Sequence, residues 1–157
     1  MASAPSRIST FLTYAAMAVF LMVCGASLFE HAALATSWAK NPPASLQMFH
    51  GEYGVAPQNF FRVAQPSLGV LLVWALVSSR KNRARRNLLV IALGGYVAAM
   101  IATGVYFVPE LKNTLLGTPA ISSDELRARA LTWEKLALGR TIWMLLFAIP
   151  LMRATRE

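Results

Sequence analysis

The chain has 157 residues, of which 56% are hydrophobic and 14% charged, and its formal net charge is +8. Soluble proteins carry about 25% charged residues, so this composition excludes an ordinary soluble domain and an intrinsically disordered chain. The single cysteine, Cys24, excludes an internal disulfide framework, a CxxC redox pair and a zinc site built on several thiolates.

Four apolar runs predict an all-α fold, an integral membrane four-helix bundle that forms one membrane domain over residues 1–157. The predicted spans cover about residues 8–30, 63–79, 87–109 and 136–152. The first run is too long for the apolar part of a signal peptide and is followed by Glu30 and His31, so we interpret it as a span. The fourth run contains a charge, Arg140.

Two loops are expected on the outer side of the membrane. Residues 36–62 form a long loop between the first two helices, and residues 110–123 form another that contains the helix breaker Gly117-Thr118-Pro119. Ser122 and Glu125 then have the spacing of a capping box, which predicts that the last helix begins at Asp124. Glu125 and Arg129, four residues apart, are expected to pair on its exposed face.

The distribution of charge predicts the orientation. Eight basic residues and one acid fall at the termini and in the loop between the second and third spans, for a net charge of +7. The opposite side carries a net charge of +1. Because basic residues favour the cytoplasmic side, we expect a multi-pass protein of the plasma (inner) membrane with both termini in the cytoplasm. The basic loop would contact anionic lipid heads, and nucleic acid is not needed to explain the charge.

Small residues in the third span have the spacing of close helix contacts. Gly94 and Ala98, and likewise Gly95 and Ala99, are four residues apart. Such pairs let helix backbones approach each other in a membrane. We interpret them as packing positions inside the bundle, although an oligomer of the chain is also possible.

Arg140 is the polar group that most needs an explanation, because a guanidinium at membrane depth is costly and cannot lose its proton. Glu30, at the outer end of the first helix, and Glu110, at the outer end of the third, lie at a similar depth. We therefore expect Arg140 to form an ion pair with one of them. The alternative to a functional role is that this pair only holds the helices together.

Other candidate residues cluster at the same outer level. Trp133 lies seven residues before Arg140 on the same helix stripe and could form the wall of a pocket above the guanidinium. His31 follows Glu30, and His50 and Glu52 form an His-x-Glu in the loop. The spacing of these residues along the chain does not require a metal site, so we expect no bound metal. The inner half is expected to carry almost only apolar side chains, which places any chemistry in the outer half, between the first, third and fourth helices.

Two segments resemble a known family. FVPELKNTL (residues 107–115) ends the third span, and WEKLALGR (residues 133–140) opens the fourth. They are similar to the VP-x-N-x-x-L and W-x-x-L-x-x-x-R segments of the anthrone oxygenase-like family of small four-helix membrane proteins. WAKNPPAS (residues 38–45) also resembles bacterial members of that family.

The resemblance implies a cofactor-free oxygenase that acts on a hydrophobic aromatic small molecule in an outer-side pocket. Glu30 or His31 would remove a proton from carbon, and Arg140 would stabilise the oxyanion. Trp133, Glu110 and Trp38 are the candidate substrate-binding residues. Two alternatives stay open: a membrane protein that binds or transports a small molecule, and a structural accessory protein without catalysis.

Overall fold

The computed structural model describes residues 6–117 and 120–157. Within that part of the chain all regular structure is helical. Four helices are long and apolar enough to cross a membrane, with mean hydropathies of 1.5 to 2.2 in their most apolar windows. They are α1 (Arg7–Trp38), α2 (Gln58–Ser78), α3 (Arg83–Leu115) and α4 (Ser123–Ala154). The four predicted spans fall on these four helices, which confirms four membrane-compatible segments.

Three of the helices begin at a side-chain cap. Ser6 accepts a hydrogen bond from the Ser9 N–H, and Asn82 accepts one from the Arg85 N–H, both at 3.1 Å. Ser122 accepts a hydrogen bond from the Glu125 N–H at 3.2 Å. These oxygens satisfy amides that have no partner inside the first turn. The predicted capping position before α4 is therefore confirmed, and α4 begins one residue earlier than expected.

Three helices extend further into the loops than the sequence analysis predicted. α1 continues through a π-helical segment, Glu30–Ala35, and α3 continues through two, Thr103–Phe107 and Glu110–Leu115. The predicted loops 36–62 and 110–123 were therefore too long, since both helices continue past the start of these loops and α2 already begins at Gln58. Buried apolar side chains near the extended ends, including those of Trp38 and Leu115, explain the extension.

Residues 39–57 form the connecting segment between α1 and α2. It contains the 3₁₀ helix Ala44–Phe49, whose Leu46 is buried against the ends of the long helices. Between α3 and α4, Gly117 of the predicted breaker is described, whereas Thr118 and Pro119 lie outside the described residues.

The helices pack around two groups of buried side chains. The main core takes fully buried residues from every long helix, among them Phe20, Leu72, Leu89 and Leu151. The second core surrounds Trp38 and includes buried residues of α1, α3 and α4. Many large apolar side chains on the outside of the helices are exposed, as expected of a surface that faces lipid.

The small residues of α3 divide into two faces. Gly95 and Ala99 are buried, and a Cβ atom on Gly95 would overlap the Phe147 ring of α4. Gly94 and Ala98 are exposed. The pair Gly95/Ala99 therefore permits the close approach of α3 and α4, which agrees with the packing interpretation.

The start of α1, the α2–α3 connection and the C-terminal residues contact one another at one end of the molecule. This end is called the basic end and consists of residues 6–10, 79–86 and 155–157. Ser9 Oγ lies 2.8 Å from Ser79 Oγ. Asn82 Nδ2 donates to the Glu157 carbonyl at 3.1 Å. The opposite end, formed by residues 30–62, 103–117 and 120–133, is called the cavity end.

Candidate functional site: a cavity at one end of the four long helices

A cavity of about 390 Å³ lies at the cavity end. All four long helices contribute to its wall, and so does the segment that connects α1 to α2. The sequence analysis placed the site between the first, third and fourth helices, so the contribution of α2 is a correction. The charged residues of the wall are Glu30, Arg62, Lys112 and Arg140. Three cations against one acid give the cavity a positive potential that favours an anionic ligand.

Arg140 is held in the wall by α3. Its Nη1 donates to Thr103 Oγ1 at 2.8 Å, and Thr103 in turn donates its own proton to the Ala99 carbonyl at 2.7 Å. Because the hydroxyl proton is used in this way, the oxygen presents its lone pairs to the guanidinium. The Arg140 Cζ also lies 4.5 Å from the centre of the Phe107 ring, a cation–π contact.

The predicted ion pair of Arg140 is wrong. Over residues 6–117 and 120–157, the ion pairs within 4.0 Å both belong to Arg129. Arg129 contacts Glu110 at 3.4 Å and Glu125 at 3.2 Å, the second of which the sequence analysis expected. Glu110 also accepts a hydrogen bond from Thr114 at 3.2 Å. The prediction chose the acid partner of Arg140 by its depth along the helix. The partner also depends on which face of its helix carries the acid.

Glu30 shares the cavity wall with Arg140 without bonding to it. It opens the π-helical segment of α1 and is half-buried. Both residues also line a much smaller adjoining cavity of about 10 Å³, together with His31 and Trp133. His31 Nδ1 is buried without a hydrogen-bond partner among the described residues. The small cavity has about the volume of one water molecule, which could join these polar groups.

Aromatic rings form the flat part of the wall. The Trp133 indole N–H donates to the Phe107 carbonyl at 3.1 Å. The ring of Trp133 stands edge-on to those of Trp38, at 5.4 Å, and Phe107, at 5.7 Å. Trp38 also contacts Phe49 of the connecting segment at 6.0 Å. These edge-to-face contacts fix the rings in place, and both Trp133 and Trp38 line the cavity.

Of the six candidate site residues, four line the main cavity: Glu30, Trp38, Trp133 and Arg140. His31 lines the small adjoining cavity. Glu110 belongs to neither wall and is bound to Arg129 instead. His50 and Glu52 are exposed. In the described part of the chain, no group of three or more His, Cys, Asp or Glu residues could hold a metal ion.

The sequence analysis missed several wall residues. From α2 these include Gln58, Phe61, Arg62 and Gln65. Their spacing of three and four residues on one helix face was a detectable signal, but it lay in a segment that we had assigned largely to a loop. Thr103 was missed because nothing in the sequence marks a hydroxyl as the partner of an arginine on another helix.

No protein-family model, curated protein or solved structure matches this chain. The chemistry of the cavity must therefore be argued from its own residues. A partly desolvated guanidinium can stabilise an oxyanion, and a half-buried carboxylate can accept a proton. Aromatic rings that are held in place by edge-to-face contacts can bind a flat apolar molecule.

Proposed function

We propose that this chain is an integral membrane four-helix bundle of the anthrone oxygenase-like family, and that it oxidises a hydrophobic aromatic molecule without a cofactor. The observation that supports the proposal is that Arg140 and Glu30 line one cavity with aromatic walls. Its volume of about 390 Å³ is typical of small-molecule sites. The positive wall suits a substrate that becomes an enolate.

The reaction needs only the substrate and dioxygen. The Glu30 carboxylate accepts a proton from an acidic CH₂ group, and the electron pair is delocalised onto the conjugated carbonyl oxygen to give an enolate beside Arg140. The enolate carbon transfers electrons to O₂ and forms a C–O bond, which yields a hydroperoxide once a proton is returned. Loss of the second hydrogen of that carbon and cleavage of the O–O bond then give a ketone and water. Overall, CH₂ and O₂ become C=O and H₂O.

We also propose that the protein is a multi-pass protein of the plasma (inner) membrane, with the basic end in the cytoplasm. The clustering of basic residues, the start of α1 and the C-terminal residues at one end supports this orientation. Anionic lipid heads would then contact the loop between α2 and α3, and the cavity would lie in the outer half of the bilayer.

The test uses the purified chain in lipid nanodiscs with anthrone as substrate. Oxygen uptake and the absorbance of anthraquinone are measured together, and equal amounts of the two are expected. Glu30→Gln should lower turnover by about 100-fold or more, because it removes the proton acceptor. Glu110→Gln is the matched control, since this carboxylate sits at the same end of the molecule but outside the cavity, and it should leave turnover unchanged.

Two results would count against the proposal. Equal turnover by Glu30→Gln and the unchanged protein would exclude the mechanism. Binding of anthrone without oxygen uptake would assign the cavity to a binding or transport protein.

A further inference from the structure

A second hollow opens on the side of the molecule, between α3 and α4. This lateral groove has a volume of about 420 Å³ and is lined mainly by apolar side chains. On α3 it follows Ala98, Ala102 and Tyr106, which are four residues apart and therefore share one helix face. These positions extend over about 12 Å of helix. The groove lies along the part of α3 and α4 that would cross the bilayer.

The groove and the cavity meet at two residues. Arg140 and Phe107 line both hollows, and the Arg140 guanidinium lies over the Phe107 ring. A molecule bound in the cavity with an oxyanion at Arg140 would therefore have the end of the groove directly beside it. This shared wall distinguishes the groove from an isolated depression in a lipid-facing surface.

Small residues give the groove its width. Ala98 and Gly139 are exposed, and a Cβ atom built on Gly139 meets no other atom within 4 Å. Each is followed along its helix by a larger aromatic residue that also lines the groove, Tyr106 on α3 and Trp143 on α4. The result is an open apolar groove that suits an extended hydrocarbon chain.

We propose that the lateral groove holds the apolar tail of the same ligand whose aromatic head occupies the cavity. The inference rests on the proposed function and narrows its substrate class to amphiphilic aromatic molecules. Such a molecule has a flat head with an acidic oxygen or an enolisable carbonyl, and an alkyl or prenyl tail. It enters sideways from the bilayer between α3 and α4. Because the head and the tail belong to one molecule, binding of the head in the cavity raises the effective concentration of the tail at the groove.

The test compares two probes in nanodiscs at equal mole fraction in the lipid. Hydroxynaphthoquinone has an acidic enol and no tail, and its nonyl derivative adds a nine-carbon chain. Binding is measured by quenching of tryptophan fluorescence. The nonyl probe should bind about tenfold more tightly, because the groove adds many van der Waals contacts. Equal mole fraction in the lipid removes the simple gain from partitioning.

Two glycines supply a matched pair of variants. Gly139→Leu should fill the groove and abolish the advantage of the nonyl probe, while binding of the tailless probe stays unchanged. Gly94→Leu places the same side chain on α3, where a Cβ atom also meets open space, and Gly94 does not line the groove. It should keep the tenfold advantage. Ala98→Leu, farther from Arg140, provides a second groove-filling variant if Gly139→Leu does not fold.

The outcomes separate the two proposals. If the tailless probe binds and anthrone is oxidised, but the nonyl chain adds no affinity, only the groove inference is overturned. Equal weakening of both probes by Gly139→Leu would overturn it as well. If neither probe binds, the cavity does not bind the aromatic head, and both the proposed function and the groove inference are overturned.

A photoreactive group at the end of the nonyl chain identifies the occupant directly. Labelling of groove residues that excess hydroxynaphthoquinone suppresses would support the inference. Labelling that the tailless head does not compete away would assign the groove to bilayer lipid and overturn it. Protection of the groove by a second copy of the chain, seen as a cross-linked dimer, would overturn it too.

Discussion

Two arginines, the buried Arg85 at the basic end and the half-buried Arg140 at the cavity end, are held in similar ways. Arg85 at the basic end is 1% exposed, and its Nη1 donates to Ser9 Oγ at 3.1 Å and Thr10 Oγ1 at 3.2 Å. Arg140 at the cavity end donates from Nη1 to Thr103 Oγ1. Within residues 6–117 and 120–157, neither forms an ion pair with a carboxylate. Hydroxyl groups on neighbouring helices take that place.

The surroundings of the two arginines differ. Arg85 is closed in by the Ser9–Ser79 hydroxyl pair, whereas Arg140 faces the cavity, the lateral groove and two small hollows. The sequence analysis expected almost only apolar side chains in the inner half, and it did not foresee the buried guanidinium of Arg85 at the basic end. The comparison indicates that open space beside a charge, rather than the buried charge itself, marks a candidate functional site.

The helical backbone is also more irregular at the cavity end than at the basic end. α1 and α3 are regular α-helices through the main core and become π-helical only at the cavity end. π-Helical turns are rare and occur frequently at functional sites. Here they contribute Glu30, Thr103 and Phe107 to the cavity wall. The irregular backbone is concentrated where the cavity is.

The largest expected effect concerns the membrane orientation of the two ends. In a Cys24→Ala background, a cysteine at exposed Ala44 should react completely with a membrane-impermeant maleimide added outside whole cells. A cysteine at exposed Ala84 should react only after the cells are opened. Mass spectrometry of the chain measures the fraction that is labelled. The opposite pattern would place the cavity end in the cytoplasm and refute the proposed topology.

Arg140→Leu should have the next largest effect. We expect anthrone turnover to fall by about 100-fold, since the variant loses the group that stabilises the oxyanion, while the protein stays folded. Arg129→Leu, an exposed arginine of the same helix, should keep full turnover. Because Arg140 and Glu30 form no ion pair, adding Glu30→Leu should not rescue activity. Full activity in that double variant would contradict the mechanism.

Arg85→Leu should affect stability and leave function intact. The Ser9 and Thr10 hydroxyls would lose a buried donor, so the free energy of unfolding should fall by about 1–3 kcal/mol. Binding of hydroxynaphthoquinone should not change, because Arg85 is at the basic end. Denaturation in mixed detergent micelles and fluorescence titration measure the two quantities. A more stable variant would show that burial of this guanidinium costs more than its hydrogen bonds return.

The smallest effect is expected for the Glu110–Arg129 pair. Its arginine is exposed at the surface, where solvent screens ion pairs and holding two long side chains in place has an entropic cost. Glu110→Gln should therefore cause no measurable change in melting temperature, followed by circular dichroism. A clear loss of stability would show that this pair has a structural role at the cavity end.

The sequence was sufficient for features that depend on local pattern. Long apolar runs indicated the four long helices, and Ser122 with Glu125 indicated the start of α4. The depth of Arg140 along its helix also identified the cavity end as the place for a candidate site. Each of these depends on hydrophobicity, capping or rise per residue, which neighbouring residues along the chain determine.

Tertiary structure alone decided which side chains meet. Glu110 lies at the depth of Arg140 but turns toward Arg129, and Arg85 belongs to a basic loop by sequence but is fully buried in the structure. The partner of a charged group depends on the rotation of each helix about its own axis and on the space left between helices. Packing among all four helices sets both, so no single segment of the sequence carries that information.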